Sequence, residues 1–136
     1  MDLVTLEPGT DGLGEMIAGL IRGNLAADPG RARLLRGLRG RVNIMATDAE
    51  VGTGVIFAAG GVVVGPAHPK PELVIECDSE TLMALSSVPL RLGLPDAATP
   101  AGRDVLRKMA ARQLRVRGMA THLKLLARLN RLLSVA

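Results

Sequence analysis

From residue 41 the chain alternates apolar and polar positions with the period of a half-buried strand. Val42, Ile44 and Ala46 face one way and Asn43, Met45 and Thr47 the other. Asp48, Ala49 and Glu50 make a turn, and a second strand is predicted over residues 54–58. Gly60-Gly61 marks a hairpin, because glycine accepts the positive φ that tight hairpin turns require; residues 62–64 return as a third strand. The uncharged run 51–67 approaches the length of a membrane span, but a central Gly-Gly flanked by β-branched residues reads as a hairpin. Beyond the stiff connection of Pro66, Pro69 and Pro71, a fourth strand over 72–77 puts Leu73, Ile75 and Cys77 on one face. The same alternation returns at Leu114 and Val116 against Arg115 and Arg117, and predicts a fifth strand ending at Gly118.

Helical spacing governs most of the rest. Thr10 or Asp11 can cap a helix reaching about Ala27, with Leu13, Met16, Ile17, Leu20, Ile21 and Leu25 on its apolar face. The stretch before Thr10 shows no clear period. Asp28-Pro29 sets an N-cap before a proline at the first helical position, which predicts a short helix over about 29–38. Asp78-Ser79 caps another helix, whose positive end Glu80 complements and whose apolar residues are Leu82, Met83 and Leu85. Residues 86–98 read as loop. Thr99-Pro100 opens a helix with Val105, Leu106, Met109 and Ala110 inward and Arg103, Arg107 and Arg112 outward. From Met119 the chain is expected to be helical to its end, with Met119, Leu123, Leu126, Leu129, Leu132 and Leu133 on one face, widened by Leu125. That arc exceeds what a helix needs to sit on a sheet. Either the helix is fully buried or it lines a space.

This order predicts an α+β fold: a five-stranded, mixed but mostly antiparallel sheet covered on one face by helices. The route from the fourth strand to the fifth is long enough for a parallel crossover. At 136 residues, without linker or repeat, the chain reads as one domain, 1–136, able to bury a core without metal or disulfide staples. Apolar residues make up 48% but aromatics only 1%, so the core is aliphatic, with Met as adaptable filler. The single cysteine, Cys77, allows no internal disulfide, and the acidic start is unlike a signal peptide; both point to the cytoplasm. Arginine, alanine and glycine usage points to a GC-rich bacterial genome.

Charge divides the chain. Residues 1–96 hold twelve acids and eight bases, whereas residues 97–136 hold nine bases against Asp104 alone. Solvated helix faces account for this, and so does weak contact with an anionic membrane surface through Arg103, Arg107, Arg128 and Arg131. Basic residues without Tyr or Trp lack stacking platforms, so no nucleic-acid partner is expected. No nucleophile elbow or P-loop is present, and Phe57 stands where a dinucleotide fingerprint would need its third glycine. His68 and His122 have no partner at metal-ligand spacing. Cys77 reads as a buried, inert thiol, and Glu76 and Asp78 as a solvated strand edge rather than a paired acid site. No catalytic residue, metal or cofactor is expected, and the chain is not read as an enzyme. What remains is apolar surplus: Leu82, Leu85, Leu106, Met109, Met119, Leu123 and Leu126 lie over strands lined by Val, Ile, Ala and Phe57. Periodicity alone does not distinguish a filled core from a cavity there.

The element order, the run PELVIECDSETLMAL and the terminal LRVRG-MATHLKLLARL resemble the sterol carrier protein type 2 (SCP2) domain over nearly the whole chain, from about Leu13. The resemblance implies a tunnel between helices and sheet that holds a fatty acyl, sterol or isoprenoid-type ligand. Leu82, Leu85, Leu106, Met109, Leu123 and Leu126 would line it, with Phe57 and Met119 beside them. Many members carry Asp after the fifth-strand glycine, where this chain has Met119, which weakens the cap of the last helix. Two functions follow. One is a non-enzymatic lipid carrier. The other is an interaction or accessory module for an enzyme of lipid or quinone metabolism, a homo-oligomer or enzyme partner then taking the place of the ligand.

Overall fold

The computed structural model describes residues 3–135. Its strands are β1 (Val4–Leu6), β2 (Gly40–Ala46), β3 (Val51–Ala58), β4 (Gly61–Pro66), β5 (Leu73–Cys77), β6 (Leu90–Arg91), β7 (Leu94–Pro95) and β8 (Arg115–Arg117). Its helices are α1 (Gly12–Ala27), a 3-10 helix (Pro29–Leu35), α2 (Ser79–Leu85), α3 (Pro100–Ala110) and α4 (Leu123–Leu133). Six strands form one sheet in the order β1-β4-β3-β2-β5-β8, and β6 and β7 form a small separate hairpin. The fold is α+β with a mixed sheet and helices.

On the strands β2 and β5 the predicted inward faces are the buried ones. Val42, Ile44 and Ala46 on β2, and Leu73, Ile75 and Cys77 on β5, line the helix-covered side with Val55, Phe57, Val62 and Val64. Ile17, Ala18 and Ile21 of α1 close over them, and α1 lies against β1, β3, β4 and α4. Truncating a buried Ile or Leu of this set to Ala costs about 2–5 kcal/mol. Asp11 caps α1, accepting from the Gly14 N–H, and Asp28 caps the 3-10 helix, accepting from the Gly30 N–H. The β3–β4 hairpin turns at Ala59 and Gly60, both with positive φ (52° and 77°), one residue before the Gly-Gly pair.

Several expectations are corrected. The main sheet has a sixth strand, β1, parallel to β4, in a stretch too short to show a period. The fifth predicted strand, β8, is antiparallel to β5; the parallel pairs are β2 with β5 and β1 with β4. The reason is the route between β5 and β8. Helix α2 leads the chain away from Cys77 and α3 brings it back, leaving Lys108 Nζ 3.5 Å from Thr81 Oγ1, so β8 enters where β5 left. The expected loop over residues 86–98 contains the β6–β7 hairpin, whose Gly93 carbonyl accepts from Asn130 of α4. The short helix after Pro29 is 3-10 and ends at Leu35 rather than Leu38. The last helix starts at Leu123, not Met119: residues 118–122 form a turn closed by His122 N–H to the Gly118 carbonyl, and no side chain caps the helix. Leu106 and Ala110 of α3, expected inward, are exposed; Gly102 and Val105 are the residues it buries.

Candidate functional site

The space between helices and sheet has two unlike halves. Under α1 and the later turns of α4 its centre is closed: Ile21, Leu129 and Leu132 have no exposed surface, and Phe57 and Leu126 are almost as buried, with Leu13, Leu25 and Leu133 partly covered at the margin. Under α2, α3 and the turn before α4 the cover is partial. Leu82 and Leu85 of α2, Met109 of α3, Val116 of β8 and Met119 pack against the core while keeping part of their surface open. Leu106 is 42% exposed and Leu123 47%, with Met83 of α2 more open still at 57%. The expected ligand-lining set is therefore divided. Phe57 and Leu126 belong to the packed core, Leu82, Leu85, Met109 and Met119 border it, and Leu106 and Leu123 lie at the surface.

Local sequence explains the partial cover. Helix α2 has only seven residues, Ser79 to Leu85. Its cap is sound, with Asp78 Oδ1 accepting from the Thr81 N–H at 2.7 Å, but so short a helix buries only Thr81 completely. Helix α3 has one large buried side chain, Val105; its other buried position is Gly102, which lies against the Asp96 backbone so closely that a Cβ would overlap the carbonyl. Gly118 has φ +86° and sits on the Glu72 carbonyl, so the chain can turn off β8 only with glycine there.

On the other face of the sheet a recess of about 750 Å³ is lined by Asn43, Met45, His68, Val74, Glu76 and Arg117 among others. Glu72 accepts from Arg41 Nη2 at 2.6 Å and from the Arg41 N–H at 2.7 Å. The hydrogen bond from Arg41 holds its carboxyl at about 2, well below the usual range. Glu76 accepts from Arg117 Nη2 at 2.5 Å, while Asp78 caps α2, so the two acids expected on one edge hold separate structural posts. Burial pushes the Cys77 thiol up to about 11, with Asp78 and Asp48 adding to the shift; that keeps it protonated at neutral pH. His68 sits in the connection laid across this face, its Nδ1 accepting from the Lys70 N–H. His122 occupies the N-cap position of α4.

One cluster escaped the sequence reading. Arg128 and Arg131 were expected on a solvent face, and the 3-10 helix places Arg31 and Arg33 across a cleft from them. The charge excess of the last forty residues hinted at half of it. The docking of residues 29–35 on α4 leaves no periodic signal.

No protein-family model and no curated protein sequence matches the chain. Among solved structures it is similar to one described as UbiJ-SCP2, a ubiquinone synthesis protein, with a TM-score of 0.60 at 12% sequence identity, over 89% of this chain and 92% of that one. A solution structure of a conserved hypothetical protein from Thermus thermophilus, described as possibly sterol carrier protein, aligns over 98% of this chain and 96% of that one, at 13% identity and a TM-score of 0.42. The first of these, together with the mixed sheet and its helical cover, identifies the fold of this chain as SCP2-like.

Proposed function

We propose that the chain is a non-enzymatic lipid-binding or lipid-carrier protein whose apolar ligand enters between α2, α3 and the β5–β8 edge. One observation carries this reading: Leu82, Leu85, Met109, Val116 and Met119, from α2, α3, β8 and the turn before α4, pack against the core of an SCP2-like fold while staying only partly covered. An acyl, sterol or isoprenoid-type ligand would complete that cover, each buried methylene contributing about 0.8 kcal/mol. The exposed Leu106 between Arg103 and Arg107, and Leu123 beside Lys124, suit brief contact with an anionic membrane during loading. Among the described residues no helix is long and apolar enough to cross a membrane.

The test is a fluorescent long-chain fatty acid titrated into wild type and Met109→Trp, with thermal midpoints of both. If the lining borders ligand space, the wild type binds saturably and the variant keeps its midpoint while losing affinity. A variant that loses midpoint by over-packing, beside a wild type that binds no lipid, removes the carrier reading.

A second reading has its own observation. The outer sheet face leaves Met45, Ile56, Val63 and Val74 partly exposed, and the Arg41–Glu72 and Glu76–Arg117 pairs lie on the same face. Apolar surface edged by charge suits a protein partner, and the similar structure described as a ubiquinone synthesis protein suggests an accessory role to an enzyme of quinone synthesis. Val74→Arg would abolish such a complex and leave lipid affinity intact.

A further inference from the structure

Between the 3-10 helix and α4 lies a cleft of about 850 Å³ lined by Arg31, Arg33, Arg128 and Arg131, with Asp28 the one acid in its wall. Outside the cleft three arginines have carboxylates, Arg41 with Glu72, Arg107 with Asp104 and Arg117 with Glu76, while Arg103 donates to backbone carbonyls. In the cleft the hydrogen-bond partners are backbone carbonyls, and the carboxylate in reach is Asp28, beside Arg31. Arg31 Nη1 donates to the carbonyls of Arg131 (2.9 Å) and Ser134 (2.6 Å), and Arg128 Nη1 donates to those of Leu34 (3.3 Å) and Arg36 (2.8 Å). Arg33 Nε donates to Gly30 O within its own turn. A carbonyl fixes where a guanidinium sits without cancelling its charge. Each guanidinium has five N–H donors; Arg31 and Arg128 each commit Nη1 to two carbonyls and Arg33 commits Nε to one, so donors remain for a ligand. Asp28 offsets little: it stands 3.7 Å from Arg31, its side chain is 60% exposed, and one oxygen already caps the 3-10 helix.

We infer that this cleft is a binding site for a phosphate or diphosphate group carried by a small molecule. Planar guanidinium forks match phosphate oxygens in pairs. Among the described residues that line the cleft, four arginines stand against one aspartate, an excess of three positive charges, more than a single carboxylate neutralises and close to what a diphosphate brings. The cleft also exceeds a bare phosphate in size, and Pro89 and Leu90 give it an apolar lip for whatever the phosphate is attached to. The site stands apart from the lipid lining and does not depend on that proposal.

Isothermal titration with inorganic pyrophosphate at fixed ionic strength tests it, because the probe carries no apolar tail. The decisive variant is Arg33→Gln with Arg131→Gln, which spares the two arginines that brace α4. The control is Lys70→Gln with Arg115→Gln, equal in net charge and outside the cleft lining. The expected result is saturable binding by wild type and control, weakened on the order of tenfold or more in the cleft variant. Should the double variant unfold on a circular-dichroism melt, Arg33→Gln alone carries the same test. Vesicles containing phosphatidic acid separate the sources. Vesicle binding competed by pyrophosphate and lost in the cleft variant assigns a lipid headgroup; pyrophosphate binding without vesicle binding assigns a soluble ligand. Equal pyrophosphate affinity in wild type and cleft variant, or equal loss in the control, overturns the inference.

Discussion

Asn43 and His68, 25 positions apart, exchange two hydrogen bonds of 2.8 Å: Asn43 Nδ2 donates to the His68 carbonyl, and the His68 N–H donates to Asn43 Oδ1. The connection from β4 to β5 thus crosses the outer sheet face clamped to one buried amide, where a ladder strand would otherwise have no partner for it. Opposite Asn43 on β3 stands Gly54, whose missing side chain makes room for the Pro66 carbonyl. Asn43→Ala leaves the backbone N–H and C=O of His68 without their partners and is expected to cost about 1–3 kcal/mol in urea unfolding. Gly54→Ala would put a Cβ 2.5 Å from the Pro66 oxygen and is expected to destabilise as well. Unchanged midpoints for both would show that the clamp holds nothing.

The Arg41–Glu72 pair sets an acid limit. Glu72 titrates at about 2 in the folded chain instead of the usual 4.5, so folding favours its ionised form. Its contribution is complete above about 4.5 and disappears as the pH falls towards 2. The difference in urea midpoint between wild type and Arg41→Gln should therefore be full at pH 6 and shrink steadily through that window. The lowered carboxyls of Asp48 and Asp78 are present in both proteins and cancel in the difference. A gap that stays constant down to pH 2.5 would contradict the assignment.

Cys77 is 1% exposed and its thiol is pushed up to about 11 by burial. At pH 8 it should be silent to Ellman's reagent in the native protein and react fully in denaturant, since the thiolate is the reactive form. Rapid labelling of folded protein would place Cys77 in an accessible, activated setting instead.

Much of this architecture was legible because period and burial coincide. The alternation of Val42, Ile44 and Ala46, and of Leu73, Ile75 and Cys77, survives intact as the inner face of the sheet. The caps at Asp11, Asp28, Asp78 and Thr99 are side-chain chemistry local to a few residues, and all four accept the expected N–H. What failed was long-range. Strand β1 exists because Val4 and Leu6 find β4, not because three residues carry a pattern. The direction of β8 depends on how α2 and α3 route the chain. Leu106 and Leu123 fit a helical apolar face by spacing, yet their neighbours leave nearly half of each exposed. For the proposed ligand lining, the sequence grouped Phe57 and Leu126 with Met109 and Leu85; packing separates the first two into the closed core.

That separation makes a prediction about motion. Helix α1 buries Ile17, Ala18 and Ile21, and α4 buries Leu125, Leu126, Leu129 and Leu132, whereas α2 buries only Thr81 and α3 only Gly102 and Val105. Local opening costs least where the least apolar surface must be exposed. Backbone amides in α2 and α3 should thus exchange with deuterium well before those in the middle of α1 and of α4. If the partly covered lining is where an apolar ligand sits, adding a saturating long-chain fatty acid should slow exchange in α2 and α3 and leave α1 nearly unchanged, because the ligand supplies the missing cover only there. Mass-spectrometric hydrogen exchange with and without the fatty acid reads both effects on one sample. Slower α2 and α3 exchange on ligand addition would support entry at the β5–β8 edge. Ligand protection confined to α1 and β3, around Ile21 and Phe57, would move the binding space into the part of the core that the structure shows closed, and the proposed route would be wrong.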